Sequence, residues 1–214
     1  MTSRFPSRLT PALLLVTLLV TCGPYGPTAA SAQGSGITNA QIFEAIGAQD
    51  GATVCEIGAG NGALSLAAAK IVGPQGRVYT SELGDDRVRA LRDKVGGSSL
   101  AQITVVAGDP VKTNFPDAGC DALFLRNVYH HFADPAAMNA SISTALKPGG
   151  RLAIVDFSPP PGNEATCPAD RGKDGMHGIT AETLSREMKD AGFEPVSSNA
   201  GAQRWFMVVV SKPK

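Results

Sequence analysis

Val54-Cys55-Glu56-Ile57-Gly58-Ala59-Gly60-Asn61-Gly62 decides the fold of this 214-residue chain. The short apolar run Thr53 to Ile57 has strand character and ends in glycines at every second position. The Ala- and Leu-rich stretch Gly62 to Val72 that follows predicts a helix. Glycine at such a strand-to-helix turn lets the backbone bend tightly and lets a ligand approach it closely. The helix start adds N–H groups with no partner inside the helix.

Outward from this turn, strands and helices alternate. A helix is expected over Asn39 to Ala48, with Ile42, Phe43 and Ile46 on one face. Arg77 to Ser81 reads as the second strand, Asp85 to Val95 as a charged amphipathic helix, and Gln102 to Val106 as the third strand. Asp121 to Leu125 is the fourth strand, and a helix over Pro135 to Leu146 stops at Lys147-Pro148-Gly149-Gly150. Arg151 to Phe157 is the fifth strand, and a helix follows over Thr180 to Ala191. Phe193 to Ser198 and Trp205 to Val210 are the last two strands. The alternation predicts an α/β fold, a doubly wound and mostly parallel sheet. The short connection before the last strand cannot make a parallel crossover, so that pair is antiparallel. Ser158 to Gly178, rich in Pro and Gly, breaks the rhythm at the carboxyl end of a strand. Such a loop is either a lid or a loose insertion.

The glycine turn alone does not choose a ligand, because Gly58 to Ala63 also satisfies the G-x-G-x-x-A fingerprint of nicotinamide dinucleotide sites. Its neighbours discriminate. Glu56 precedes the turn, where a carboxylate suits a cationic ligand and opposes an anionic pyrophosphate. Glu82 ends the second strand and can accept both hydroxyls of a ribose. Asp109, after Ala107-Gly108, can accept from an adenine amino group. Leu146-Lys147-Pro148-Gly149-Gly150 leads into the fifth strand.

This ordered set, with Asn127-Val128-Tyr129-His130-His131-Phe132 after the fourth strand, resembles the class I (Rossmann-like) S-adenosylmethionine-dependent methyltransferases. The resemblance covers about Ile37 to Val210. It implies a seven-stranded sheet with the last strand antiparallel, and S-adenosyl-L-methionine as cofactor. It implies that Glu56, Gly58, Gly60 and Asn61, with Gly62 closing the turn, line the methionine and ribose portion. Glu82 would bind ribose, Leu83 and Pro110 would lie beside the adenine with Asp109, and Arg126 and Asn127 would approach the methionine end.

Catalytic candidates follow the fourth strand. His130, with Tyr129 beside it, is the expected general base at the crevice mouth, by reach and by a pKa near neutrality. The competing reading is that this run only shapes the pocket. The chain has three His, and with no Cys-x-x-Cys or His-Glu spacing no metal is expected. His177 and Asp174 in the long loop are possible substrate contacts.

Nineteen basic residues balance nineteen acidic ones, which gives no reason to expect nucleic acid as a partner. The acceptor is expected to be a small or lipid-like molecule. A non-catalytic ligand-binding protein on the same scaffold is the alternative, with a nicotinamide oxidoreductase behind it. Arg4 and Arg8 precede the apolar run Ala12 to Val20, and Ala30-Ser31-Ala32 follows. That order predicts a signal peptide over 1–32, cleaved after Ala32, and a methyltransferase domain over 33–214. The apolar run is shorter than the roughly 20 residues a membrane span needs. Export to the periplasm or medium is expected, with lipidation at Cys22 or a cytoplasmic location as alternatives. Cys55 reads as a small core residue. Cys120 and Cys167 could pair, but their spacing gives no framework, and the expectation is against a disulfide.

Overall fold

A computed structural model describes Met1 and residues 34–214. The expected signal peptide and the lipidation position lie outside the described residues. The elements run α1 (Asn39–Ile46), β1 (Thr53–Ile57), α2 (Ala63–Val72), β2 (Arg77–Glu82), α3 (Asp85–Gly96), β3 (Ile103–Ala107), β4 (Cys120–Arg126), α4 (Pro135–Ala145), β5 (Leu146–Phe157), α5 (Ala181–Asp190), β6 (Glu194–Ala200) and β7 (Trp205–Ser211). One seven-stranded sheet has the order β3-β2-β1-β4-β5-β7-β6. β7 is antiparallel to both β5 and β6, and the other pairings are parallel. This is the fold the sequence implied, with its element boundaries displaced by one or two residues in most places.

Alternation along the central strands builds two cores, because successive side chains point to opposite faces. Cys55 and Ile57 of β1, Leu123 and Leu125 of β4, and Leu152 and Ile154 of β5 join one cluster with α4 and α5. Val54, Ala122, Phe124, Ala153 and Val155 face the other way, onto α1 and α2. Three helices start where a side chain takes up one of their first amides. Thr38 and Gln41 form a reciprocal capping box on α1. Asp134 caps α4 with Pro135 in its first turn, and Thr180 caps α5.

Two expectations are corrected. Lys147 to Gly150 is not a break between helix and strand but part of β5. Leu146 pairs with Cys120 and Arg151 with Ala122, so the extra residues bulge out of the ladder. They stay in place because Lys147 Nζ reaches Asp121 Oδ1 at 2.6 Å and Gly149 N donates to Lys212 O at 2.9 Å. The second correction is a disulfide between Cys55 and Cys120. The sheet order sets β4 directly beside β1, bringing the two Cα atoms to 5.9 Å although 65 residues separate them in sequence. Cys167, the partner considered for Cys120, is an exposed free thiol. Among the described residues no helix is long and apolar enough to cross a membrane.

Candidate active site

The strand order reverses direction between β1 and β4, and the crevice outside the carboxyl ends of the strands there is where open α/β sheets bind ligands. A cleft of about 710 Å³ opens at this point. Ten of the eleven expected cofactor residues line it: Glu56, Gly58, Gly60, Asn61, Glu82, Leu83, Asp109, Pro110, Arg126 and Asn127. Gly62 does not. It caps α2, and a Cβ there would come within 2.8 Å of Leu91 Cδ1, so this glycine serves the packing of α3 against the turn.

The floor of the cleft is the glycine turn. Gly58 has φ +70°, and a Cβ on it would sit 2.5 Å from Val128 Cγ2. Only glycine admits both that conformation and that approach. Gly60 has φ +54° with open space where a Cβ would point, so its surface stays clear for a ligand. Across the cleft, Asn127 is left-handed at φ 60°, and its N donates to Val155 O at 2.8 Å. Asn tolerates that region better than most residues.

Two carboxylates flank the turn. Glu82 Oε2 accepts from Gly60 N at 2.7 Å and Oε1 from Leu83 N at 2.9 Å. Glu82 thus fixes the turn as well as facing the cleft, and each oxygen keeps further acceptor capacity for a hydroxyl. Arg87 Nε lies 3.4 Å from Glu82 Oε1 and donates to Leu83 O at 2.7 Å. Glu56 lines the cleft but is buried, and its carboxyl accepts from the Ser65 hydroxyl of α2. Ser65 Oγ in turn lies 2.8 Å from Thr80 Oγ1. Burial pushes the Glu56 pKa up to about 7, against the Ser65 hydrogen bond and with help from the Glu82 charge. Ser65 and Thr80 were not singled out from the sequence, since nothing in a lone Ser or Thr marks a partner on another element. Asp109 Oδ1 accepts from Val111 N at 2.9 Å, holding the turn after β3.

This donor set fits S-adenosylmethionine. Carboxylates at the turn suit an ammonium and ribose hydroxyls. An anionic pyrophosphate there would meet Glu56 and Glu82 instead of a counter-charge. Arg126 does not supply one at the turn. It holds the N-terminal segment, Nη2 to Ser35 Oγ at 2.6 Å and Nη1 to Asn39 Oδ1 at 3.3 Å, with its guanidinium 6.0 Å from the Trp205 ring.

The expected catalytic pair is rearranged. Tyr129 is fully buried and its hydroxyl leaves the cleft, donating to Glu187 Oε2 at 3.1 Å and accepting from Asn139 Nδ2 at 2.8 Å. Burial drives its pKa further up, so it has no base role. The reason is the 3-10 turn Tyr129–His131, which rotates successive side chains to different sides. His130 is also buried, with Nδ1 2.8 Å from Asp156 Oδ1 and Nε2 2.9 Å from His177 Nε2. His131 is the histidine that lines the cleft, with Phe132 and Met138. Burial, with His130 and His177 adding to it, holds His131 below the usual His range. Burial also lowers His177, with His130 adding to it.

The Ser158 to Gly178 loop is fastened down. Arg171 is buried and forms an ion pair with Glu187 of α5, and Gly178 N donates to Arg171 O at 3.1 Å. The loop delivers His177 to the site.

Comparison with known proteins agrees with this geometry. Residues 55–154 match a family described as a methyltransferase domain. A ubiquinone/menaquinone biosynthesis C-methyltransferase of Pseudomonas putida is 37% identical over 123 residues, 55% of this chain. The match covers 46% of that relative, so the chain spans about half the length of the curated relatives it matches. A S-adenosylmethionine-dependent methyltransferase from Aquifex aeolicus superposes with a TM-score of 0.68 at 22% identity, covering 81% of this chain and 88% of that one. A phosphoethanolamine N-methyltransferase of Haemonchus contortus, solved with S-adenosylmethionine, gives a TM-score of 0.68 at 17% identity over 82% and 52% of the two chains.

Proposed function

We propose that the chain is a class I S-adenosylmethionine-dependent methyltransferase that transfers a methyl group from S-adenosylmethionine to a small acceptor with an apolar body. The observation that carries this reading is that Glu56, the glycine turn, Glu82 and Asp109 line one and the same cleft as His131, Phe132 and Met138. When bound, the cofactor supplies an electrophilic methyl group on a sulfonium. The residues of the chain hold and orient. Glu82 and Asp109 take the ribose and adenine, and Glu56 faces the ammonium. Asn127 and Arg126 border the methionine end. Phe132 and Met138 exclude water and grip the acceptor, fixing its nucleophilic atom in line at near-attack distance. His131 is the cleft imidazole able to accept a proton from the acceptor, in place of the buried His130.

A phenolic or quinol-like acceptor is the first class to test, since the Pseudomonas putida relative is a C-methyltransferase of ubiquinone/menaquinone biosynthesis. The assay incubates purified protein with methyl-labelled S-adenosylmethionine and a panel of hydroxylated quinols, phenols and small thiols. Label in an extracted organic product supports the reading. Binding of the cofactor with no transfer to any acceptor favours the second reading, a ligand-binding protein on this scaffold. One feature lends that alternative weight. The Cys55–Cys120 disulfide suits an oxidising compartment, away from where S-adenosylmethionine is made. The disulfide likewise supports the proposal that the domain is exported after cleavage near Ala32, which fractionation of a tagged chain would test.

A further inference from the structure

All three histidines of the chain, His130, His131 and His177, converge on one point at the acceptor end of the cleft. Two come from the turn after β4 and the third from the loop after β5, 47 residues beyond His130. One ring nitrogen from each lies within 4.8 Å of the other two, and His130 Nε2 faces His177 Nε2 at 2.9 Å. We propose that these three side chains form a binding site for a zinc-class divalent transition-metal ion, with a fourth position open to the cleft.

The geometry is near what such an ion needs. Two nitrogens bound tetrahedrally at about 2.0–2.1 Å from zinc stand about 3.3 Å apart. The His130–His177 pair stands at 2.9 Å and all three nitrogens lie within 4.8 Å of one another, so modest χ shifts bring them to that spacing. Three imidazoles and one open position are the donor set of a catalytic rather than a structural zinc site. Softer thiolate-seeking and oxygen-seeking ions are disfavoured by an all-nitrogen set.

The tautomers are prepared as well. Asp156 is buried, and its oxygens accept from His130 N at 3.1 Å and from Phe157 N at 2.9 Å. A carboxylate only accepts, so its 2.8 Å contact with His130 Nδ1 assigns the ring proton to Nδ1. That leaves the Nε2 lone pair of His130 aimed at the other two rings. A carboxylate behind a histidine is the usual support of a metal ligand. Without an ion, His177 Nε2–H donates to His130 Nε2. With one, His177 moves its proton to Nδ1 and both Nε2 lone pairs face the metal. Phe157 packs edge-on to both rings, at 5.0 and 5.1 Å between centroids, and keeps water from this side. His131 and His177 are accessible, which gives the ion an entry path. Asp156 and Asp174 favour a cation here and Arg87 opposes it. The sequence could not show this site, because its ligands follow no local spacing.

The site shares His131 with the proposed methyl transfer, and the test keeps metal uptake and cofactor binding apart. Tag-free protein, stripped with a chelator, is titrated with Zn²⁺ by calorimetry and with Co²⁺ by visible absorption. S-adenosylhomocysteine binding is measured on the same samples. One ion per chain is expected, with the d–d bands of a tetrahedral Co²⁺ site. Asp156→Asn, a change in a positioning residue, weakens Zn²⁺ by about 10–100-fold. His177→Gln, in a surface loop, abolishes the Co²⁺ bands while leaving circular dichroism and cofactor-product binding intact. The proposal is overturned if the stripped protein takes up neither ion. It is equally overturned if uptake is unchanged in His177→Gln, as it would be for an ion held by the Cys167 thiol.

Discussion

Glu56 carries two opposed demands. The folded chain holds its carboxyl proton more tightly than the unfolded chain does, with a pKa near 7 against 4.5. Its contribution to stability is therefore complete below about pH 4.5 and is lost as pH rises through about 7, a swing of about 3 kcal/mol. Glu56→Gln removes that swing. In urea unfolding of the ligand-free protein, the variant should gain on wild type between pH 5 and pH 8. Parallel pH profiles would contradict the assignment of a buried, proton-retaining carboxyl. A cationic ligand reverses the balance by favouring the ionised form, so wild-type affinity for S-adenosylmethionine should rise across the same range while the Gln variant stays weaker and flat. That an acid stands at the end of the first strand was legible in the sequence, because alternation and the glycine turn fix the position. Its burial against Ser65 and Thr80 was not, since those contacts depend on how α2 and β2 pack beside it.

The element that sequence reasoning left undecided is the Ser158 to Gly178 loop. Lid and loose insertion were both open because Pro and Gly forbid regular structure without saying where a loop lies. The structure ties it to α5 through Arg171 and Glu187, the same carboxylate that accepts from Tyr129. The Tyr129 position could not be read for a related reason. A 3-10 turn has a different rotation per residue from an α-helix or strand, and which of Tyr129, His130 and His131 meets the cleft depends on it. Arg171→Ala leaves Glu187 without its ionic partner inside the fold, and breaking such a pair costs about 3–5 kcal/mol. Urea unfolding should show that loss, and limited proteolysis should cut first between Ser158 and Gly178. Unchanged stability and an uncut loop would mean that the Arg171–Glu187 pair does not hold it.

At the scale of the molecule, the order of elements dictated the sheet. Strand, helix and glycine-turn periods recur along the chain, and right-handed crossovers leave few ways to arrange them. The Cys55–Cys120 disulfide escaped because it links strands adjacent only in that final order. Closing 65 residues in the unfolded chain corresponds to about 4 kcal/mol in the loop-entropy account. Denaturant unfolding with and without reductant should show a loss of that order, and free-thiol titration of the native protein should find neither Cys55 nor Cys120 reactive. Two reactive core thiols with no effect of reductant would remove the disulfide, and with it the structural support for export. The cleft at the switch point of the sheet remains the centre of the account. Calorimetric titration of the purified protein with S-adenosylhomocysteine tests it most directly. The account predicts one site per chain, weakened about 10–100-fold in Glu82→Ala by loss of charged hydrogen bonds to ribose and to the glycine turn. No heat of binding in wild type, or equal affinity in Glu82→Ala, would contradict it.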